Sequence, residues 1–113
     1  MMASKPLVWL HGEVKTPPFS LAARIAAGFL LRRLQWGEVL AMPVSRPLPV
    51  VGSNCHELRV MDGNLSWRIV YHVASDGVVI LDVFAKKTRT LPKQALDASK
   101  RRLRVYLRLA TED

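Results

Sequence analysis

The sequence predicts an α+β fold in a single domain, and three observations carry that expectation. Residues 55–87 hold three runs of strand-like residues separated by turn signals. A helical repeat precedes them and a second one follows. The chain has 113 residues, 50% of them hydrophobic, and a chain of that size can bury about two thirds of its unfolded surface in one core.

Leu7 to His11 reads as a short strand. Lys15-Thr16-Pro17-Pro18 breaks it, and a helix is expected next, with Thr16 as N-cap and both prolines in the first turn. Ala22, Ile25, Ala26, Phe29 and Leu30 recur at helical spacing, with Leu34 one turn further on, and form its apolar stripe. Arg24, Arg32, Arg33 and Gln35 lie off that stripe. Gly37 ends the helix, and Glu38 to Met42 can add one more turn, so one or two helices are expected here. Pro43 to Gly52 carries three prolines and reads as an extended surface loop.

From Asn54 the period changes. Cys55 to Val60 is a strand, and Asp62-Gly63-Asn64 is a turn. Ser66 to Ala74 alternates, with Trp67, Ile69, Tyr71 and Val73 on one side and Arg68, Val70 and His72 on the other. Asp76-Gly77 is a hairpin turn, and Val78 to Lys87 is the third strand of an antiparallel meander. Lys93 to Ala110 closes the chain as a helix. Leu96, Leu103, Tyr106, Leu107 and Ala110 share one arc of it, and Lys93, Lys100, Arg101, Arg104 and Arg108 the neighbouring arc.

Composition narrows the function. The net charge is +8 and the pI about 10.4, which suits a polyanionic partner such as RNA or DNA. Lys86 to Asp113 holds nine cations against three anions, whereas Met1 to Ala85 holds eight against six. The contact surface is therefore expected toward the C-terminal end. Cys55 is the single cysteine, so no intrachain disulfide forms, as suits a reducing cytosol. No apolar run approaches the roughly 20 residues that span a bilayer. The N-terminal apolar run is too short for a secretory signal. A cytoplasmic protein without membrane contact is expected.

The stretch VVILDVFAKKTRTLPK, from Val78 to Lys93, is the most informative segment. An apolar strand ends in Lys86, Lys87 and Arg89 within four residues. A rigid strand that delivers cations to one point suits phosphate binding. The segments LLRRLQWGE, MPVSRPLPVVG, HELRV, WRIVYHV, LDVFAKKTRTLPK and ALDASKRRL, in this order, resemble the HigB-like, phage-derived host-killing branch of the RelE/ParE toxin superfamily. The resemblance runs from about Leu7 to Tyr106. It implies a small RelE-like domain that acts as the toxin of a type II toxin–antitoxin pair. It also implies a metal-independent endoribonuclease that needs no cofactor, cleaves mRNA, commonly on the ribosome, and so inhibits translation. The implied neutralising partner is an antitoxin from an adjacent gene, often a helix-turn-helix protein.

RNA cleavage without a metal needs an oriented 2′-hydroxyl that loses its proton, fixed cations around the phosphorane, and a stabilised leaving oxygen. By the resemblance, Arg68 contacts the scissile phosphate, and Lys87 occupies the position of a phosphate-stabilising cation. Lys86 precedes it. Neighbours on a strand point to opposite faces, so one of the two lysines is expected to reach the phosphate. Arg59 is a further phosphate candidate, with an ion pair to Glu57 as its alternative. His56 and His72 are candidate proton carriers because imidazole titrates near neutrality. His72 shares the strand face of Arg68 at about 13 Å. Arg89, Lys93, Arg24 and Arg32 extend the basic surface offered to RNA. The antitoxin is expected to cover part of the Lys93–Arg108 helix or the Arg24/Arg32 helix.

The chain departs from ribosome-dependent relatives in two places. Cys55 and Glu57 stand where those carry lysines, and a tyrosine near Lys93 is missing. Glu57 or His56 can take the place of the general base. A second reading keeps the fold without the chemistry: a binding protein that works through its basic surface, or a gyrase-directed relative of the ParE kind. Cys55 and the three histidines show no metal-ligand spacing.

Overall fold

Among the described residues, five strands pair into one sheet between two helices. In chain order these are β1 (Leu7–Trp9), α1 (Leu21–Gln35), β2 (Ser45–Pro47), β3 (Cys55–Asp62), β4 (Leu65–Ala74), β5 (Gly77–Lys86) and α2 (Lys93–Ala110). The computed structural model describes residues 4–87 and 89–111. The sheet order is β1-β5-β4-β3-β2. The expected meander is its centre: β3, β4 and β5 pair antiparallel through tight turns. β1 joins the far side of β5 in parallel, with Leu7 opposite Val78.

Alternation on the strands builds two cores. Leu58, Val60, Trp67, Ile69, Tyr71, Val78 and Ile80 face α1. Cys55, Val70, Val79, Leu81 and, from α2, Leu103 form the other core, with Leu96 and Tyr106 packed on it. The result is three layers, helix on sheet on helix, with the sheet covered on both sides.

Four expectations are corrected. The proline-rich segment is not wholly loop, because Ser45–Pro47 adds an edge strand antiparallel to β3. Proline is tolerated there because an edge strand needs only half of its backbone groups for pairing. Glu38 to Met42 forms no extra helical turn. α1 begins at Leu21, not at the prolines: Ser20 is its N-cap, and the Ser20 Oγ accepts from the Ala23 N–H at 3.0 Å. The Ser20 N–H donates to Asp62 Oδ2 at 2.9 Å, which ties the helix start to the β3–β4 turn. The fourth correction is the apolar stripe. α1 buries Ala23, Ala27, Leu31 and Leu34, while Ile25 and Phe29 stay 62% and 61% exposed. The helix is apolar on both sides, so periodicity alone did not choose a face. The two small alanines let its backbone lie close to the sheet.

α2 has the expected bounds, but its buried strip is narrower than its apolar arc. Ser99 and Leu103 are buried, and Leu107 and Ala110 face outward. Arg102 clamps the helix to β5. Its Nη1 donates to the Leu81 carbonyl at 2.8 Å and lies 3.6 Å from Asp82 Oδ2.

One turn leaves no room for a side chain. Gly12 has φ +84°, and a Cβ built on it would lie 2.8 Å from the Val83 Cβ. Gly12→Ala therefore combines a left-handed backbone with a clash against a packed strand, at a cost of about 1–3 kcal/mol. Thermal unfolding checks this. An unchanged midpoint would mean that the turn can move away from β5.

Candidate nucleic-acid interface

Glu57 sits in the middle of β3 on the face shared with α2, and it is 0% exposed. A carboxylate buried this far must be paired. Its Oε1 accepts from Arg68 Nη1 of β4 at 2.5 Å and from Arg59 Nε of its own strand at 3.2 Å. Arg46 Nη2, from the edge strand β2, lies 3.8 Å from Oε2. The register explains the gathering. Arg46 is the direct partner of Glu57, and Arg59 is the direct partner of Arg68. Two cations directly across a ladder repel each other, and the shared carboxylate offsets that repulsion.

A fourth cation reaches this face through a β-bulge. β4 and β5 pair regularly from Ala74 to Tyr71, and then the register shifts by one residue at Leu81. A bulge reverses which residues of a strand face a given side. Beyond it, Asp82, Phe84 and Lys86 point to the α2 side, as the contacts of Asp82 with Arg102 and of Phe84 with the α2-side core confirm. Lys86 lies opposite Ser66, two residues from Arg68 on the same face. Partial burial lowers the Lys86 ammonium below its ordinary pKa. The field of Arg68 adds to that, and Glu57 partly offsets it.

Arg68, Arg59, Arg46 and Lys86 thus surround one anion, which leaves the patch strongly positive. The arginine side chains are 11%, 26% and 39% exposed respectively, so the patch opens toward β2. Arg68 Nε and Arg46 Nε are buried without a hydrogen-bond partner. These guanidinium groups keep donor capacity that Glu57 does not use. Planar, fork-shaped donors of this kind match phosphate oxygens.

The structure separates the sequence candidates. It brings Arg68, Arg59 and Lys86 together. Lys87 and Arg89 follow the end of β5 and are exposed. It is Lys86 rather than Lys87 that shares the face of Arg68, because the bulge changes the facing. Lys93 opens α2, exposed, in the same layer as the cluster. Arg24 and Arg32 do not join it. They lie exposed on α1, which packs on the opposite side of the sheet.

Neither histidine faces the cluster. His72 shares the face of Arg68 but is sealed in the core. Its Nδ1 lies 2.9 Å from the Ser53 carbonyl oxygen and 3.6 Å from the Cys55 Sγ, and Tyr106 of α2 packs edge-on against it. His56 points to the α1 side and stacks on Tyr71. There it lines a cavity of about 470 Å³ with Lys5, Asn54 and Leu40. Burial lowers both imidazole pKa values, against the raising effect of backbone hydrogen bonds. Cys55 is buried and its thiol is pushed up to about 11, so it stays protonated and is not a nucleophile. Among the described residues, no three His, Cys, Asp or Glu side chains gather to hold a metal, and no helix is long and apolar enough to cross a membrane.

The depressed imidazoles set an acid limit on stability. An unfolded histidine takes up a proton near its ordinary pKa of about 6.5, whereas the folded His56 and His72 resist it. The unfolded state then binds more protons, so stability falls as the pH drops through 6.5 toward the folded values. Thermal midpoints should decline from pH 7.5 to 5.5. His72→Gln should flatten that decline, because His72 is the more buried of the two. Asp62 acts in a lower window. The Ser20 backbone N–H and the Trp67 indole hold its pKa down, so its contribution is present above the ordinary carboxylate pKa and is lost as the pH falls from there through the folded value.

Sequence reasoning missed Arg46. Three nearby prolines suggested a loop, and only the tolerance of edge strands for proline pointed otherwise. It named Glu57 as a partner for Arg59 but not as the centre of the cluster.

The family model described as Phage derived protein Gp49-like (DUF891) matches residues 18–104. That span runs from α1 through most of α2 and contains the whole cluster. No curated protein matches the chain.

Proposed function

The chain belongs to the phage-derived Gp49-like family, and from that premise we propose that it is the toxin of a type II toxin–antitoxin pair, of the HigB-like kind. Its proposed activity is endonucleolytic cleavage of mRNA, on the ribosome, with an antitoxin from an adjacent gene as its neutralising partner. One observation carries the nuclease reading: Arg46, Arg59, Arg68 and Lys86, one from each of the strands β2 to β5, converge around Glu57.

In this mechanism the scissile phosphate enters the open side of the cluster. The Arg68 and Arg46 guanidiniums donate to its nonbridging oxygens and hold the backbone in line. RNA supplies its own 2′-hydroxyl nucleophile. Lys86 stabilises the charge that gathers on the phosphorane and the leaving 5′-oxygen. Glu57 holds the arginines in position before RNA arrives, so the site needs little reorganisation. Glu57 itself is fully buried beneath the arginines, so the 2′-hydroxyl proton passes to solvent water rather than to this carboxylate.

A second reading is favoured by one observation: His56 and His72 lie away from the cluster, and Glu57, the only carboxylate there among the described residues, is already shared among arginines. A non-catalytic or gyrase-directed protein would use the same cations for binding alone. Primer extension on mRNA after induction of the chain separates the two. New 5′ ends in wild-type cells, absent for Arg68→Lys, support cleavage. Growth arrest with intact messages would leave only the binding reading.

A further inference from the structure

α1 has two apolar faces, and the fold uses only one. Ala23, Ala27, Leu31 and Leu34 meet the sheet. On the opposite arc, Leu21, Ile25 and Phe29 follow one another at four-residue steps, and Trp36 stands one turn beyond Arg32. Leu21 is 55% exposed and Trp36 53%, like Ile25 and Phe29 on the same arc. Val39 and Met42, just past the helix, are exposed as well. Single exposed apolar residues are ordinary, but an apolar row along one side of a helix, broken here by Arg32, marks an interaction surface. The 15 residues of α1 give that row a length of about 22 Å.

Charge decides the occupant. The segment LAARIAAGFLLRRLQ contains no acidic residue. Arg33 pairs with Glu38 and lies over the Phe29 ring. Arg24 and Arg32 project from the helix with no ion-pair partner among the described residues. A second copy laid across the row would set these arginines against their equivalents, on a chain that already carries +8. The surface asks for the opposite chemistry: apolar along one line, acidic beside it.

We infer that the outer face of α1 docks an amphipathic helix of a partner protein, with an apolar row flanked by Glu or Asp. This is a known way for helices to be recognised, by anchors at three- and four-residue spacing. The docking helix lies on the side of the sheet away from Glu57, so the basic cluster and the docking face are separate surfaces. Identifying the partner with the neutralising antitoxin rests on the toxin proposal. The docking itself rests on exposure and charge.

The test uses the full chain and a synthetic helical peptide of ~18 residues, with Leu at the row positions and Glu beside them. A matched peptide carries Lys in place of Glu. The Glu peptide should bind with a micromolar Kd and weaken with added salt, and the Lys peptide should not bind. Ile25→Glu and Phe29→Glu should each weaken binding by about tenfold or more without lowering the thermal midpoint, because both positions are exposed. Lys86→Ala should bind as wild type. Failure of the Glu peptide to bind, equal binding of both peptides, or wild-type binding by Ile25→Glu would overturn the inference. So would a wild-type dimer in sedimentation that Ile25→Glu dissolves, since that gives the face to a second copy. No arm reads RNA cleavage, so loss of the nuclease proposal leaves this result interpretable.

Discussion

Replacing Glu57 with Leu is expected to destabilise the fold by about 3–5 kcal/mol, the usual cost of removing one partner from a buried charge pair. Arg68 has little access to water on its own, with a side chain 11% exposed. Without the carboxylate it would stay beside Arg59, Arg46 and Lys86 with no anion among them. Arg59 and Arg46 can turn toward solvent and recover part of the loss. Arg68 cannot do so without leaving the sheet. Glu57→Gln keeps the shape and one acceptor, so it should lose less. Denaturant unfolding of the three proteins measures the difference. Arg59→Ala is the useful contrast, because that arginine is more exposed than Arg68, at 26%, and its pairing should be worth about 1 kcal/mol or less. Equal stability of Glu57→Leu and wild type would mean that water, not the carboxylate, keeps the guanidiniums apart.

Lys86→Ala is expected to lower RNA cleavage about 100- to 1000-fold, the typical effect of losing one preorganised charge-stabilising group. Its stability should stay within about 0.5 kcal/mol of wild type, because the side chain ends at the open surface. Lys87→Ala should cut RNA nearly as well as wild type. The two variants remove the same charge from adjacent positions, so general electrostatic attraction to RNA falls equally in both. Only the facing differs, and the bulge at Leu81 sets it. Single-turnover cleavage of an oligoribonucleotide, or of mRNA on ribosomes, compares them directly. If Lys87→Ala proves the inactive one, the strand tip must turn over when RNA binds.

These two lysines also mark where sequence reading ran out. The alternation of Trp67, Ile69 and Tyr71 against Arg68 and Val70 was legible, because successive strand residues point to opposite faces and only one of the two faces carries an arginine here. The turns at Asp62-Gly63 and Asp76-Gly77 were legible for the same local reason. A bulge has no such signature. It adds one residue inside an apolar run, and Val-Val-Ile-Leu-Asp-Val-Phe looks the same with or without it. The choice between Lys86 and Lys87 therefore had to wait for coordinates. The face of α1 was hidden differently: with alanines on both sides and large apolar residues outward, the helix offered two stripes, and tertiary packing selected the smaller one. Arg46 was hidden by its prolines. The centre of the cluster lay in plain view as Glu57, but a carboxylate between two arginines on adjacent strands becomes visible only once the register is known.

The position of β1 has a consequence for how the molecule comes into being. β5 is an inner strand, held by β4 on one side and by Leu7–Trp9 on the other. Its partner on that second side is made earlier, and must wait some seventy residues for Val78 to appear. Closing so long a loop is slow compared with zipping a hairpin. The three-stranded meander can assemble while β5 still shows a bare, valine-rich margin, an invitation to stray pairing with other chains. The short strand β1 works as a late clasp: its three residues finish the sheet and take that margin out of circulation.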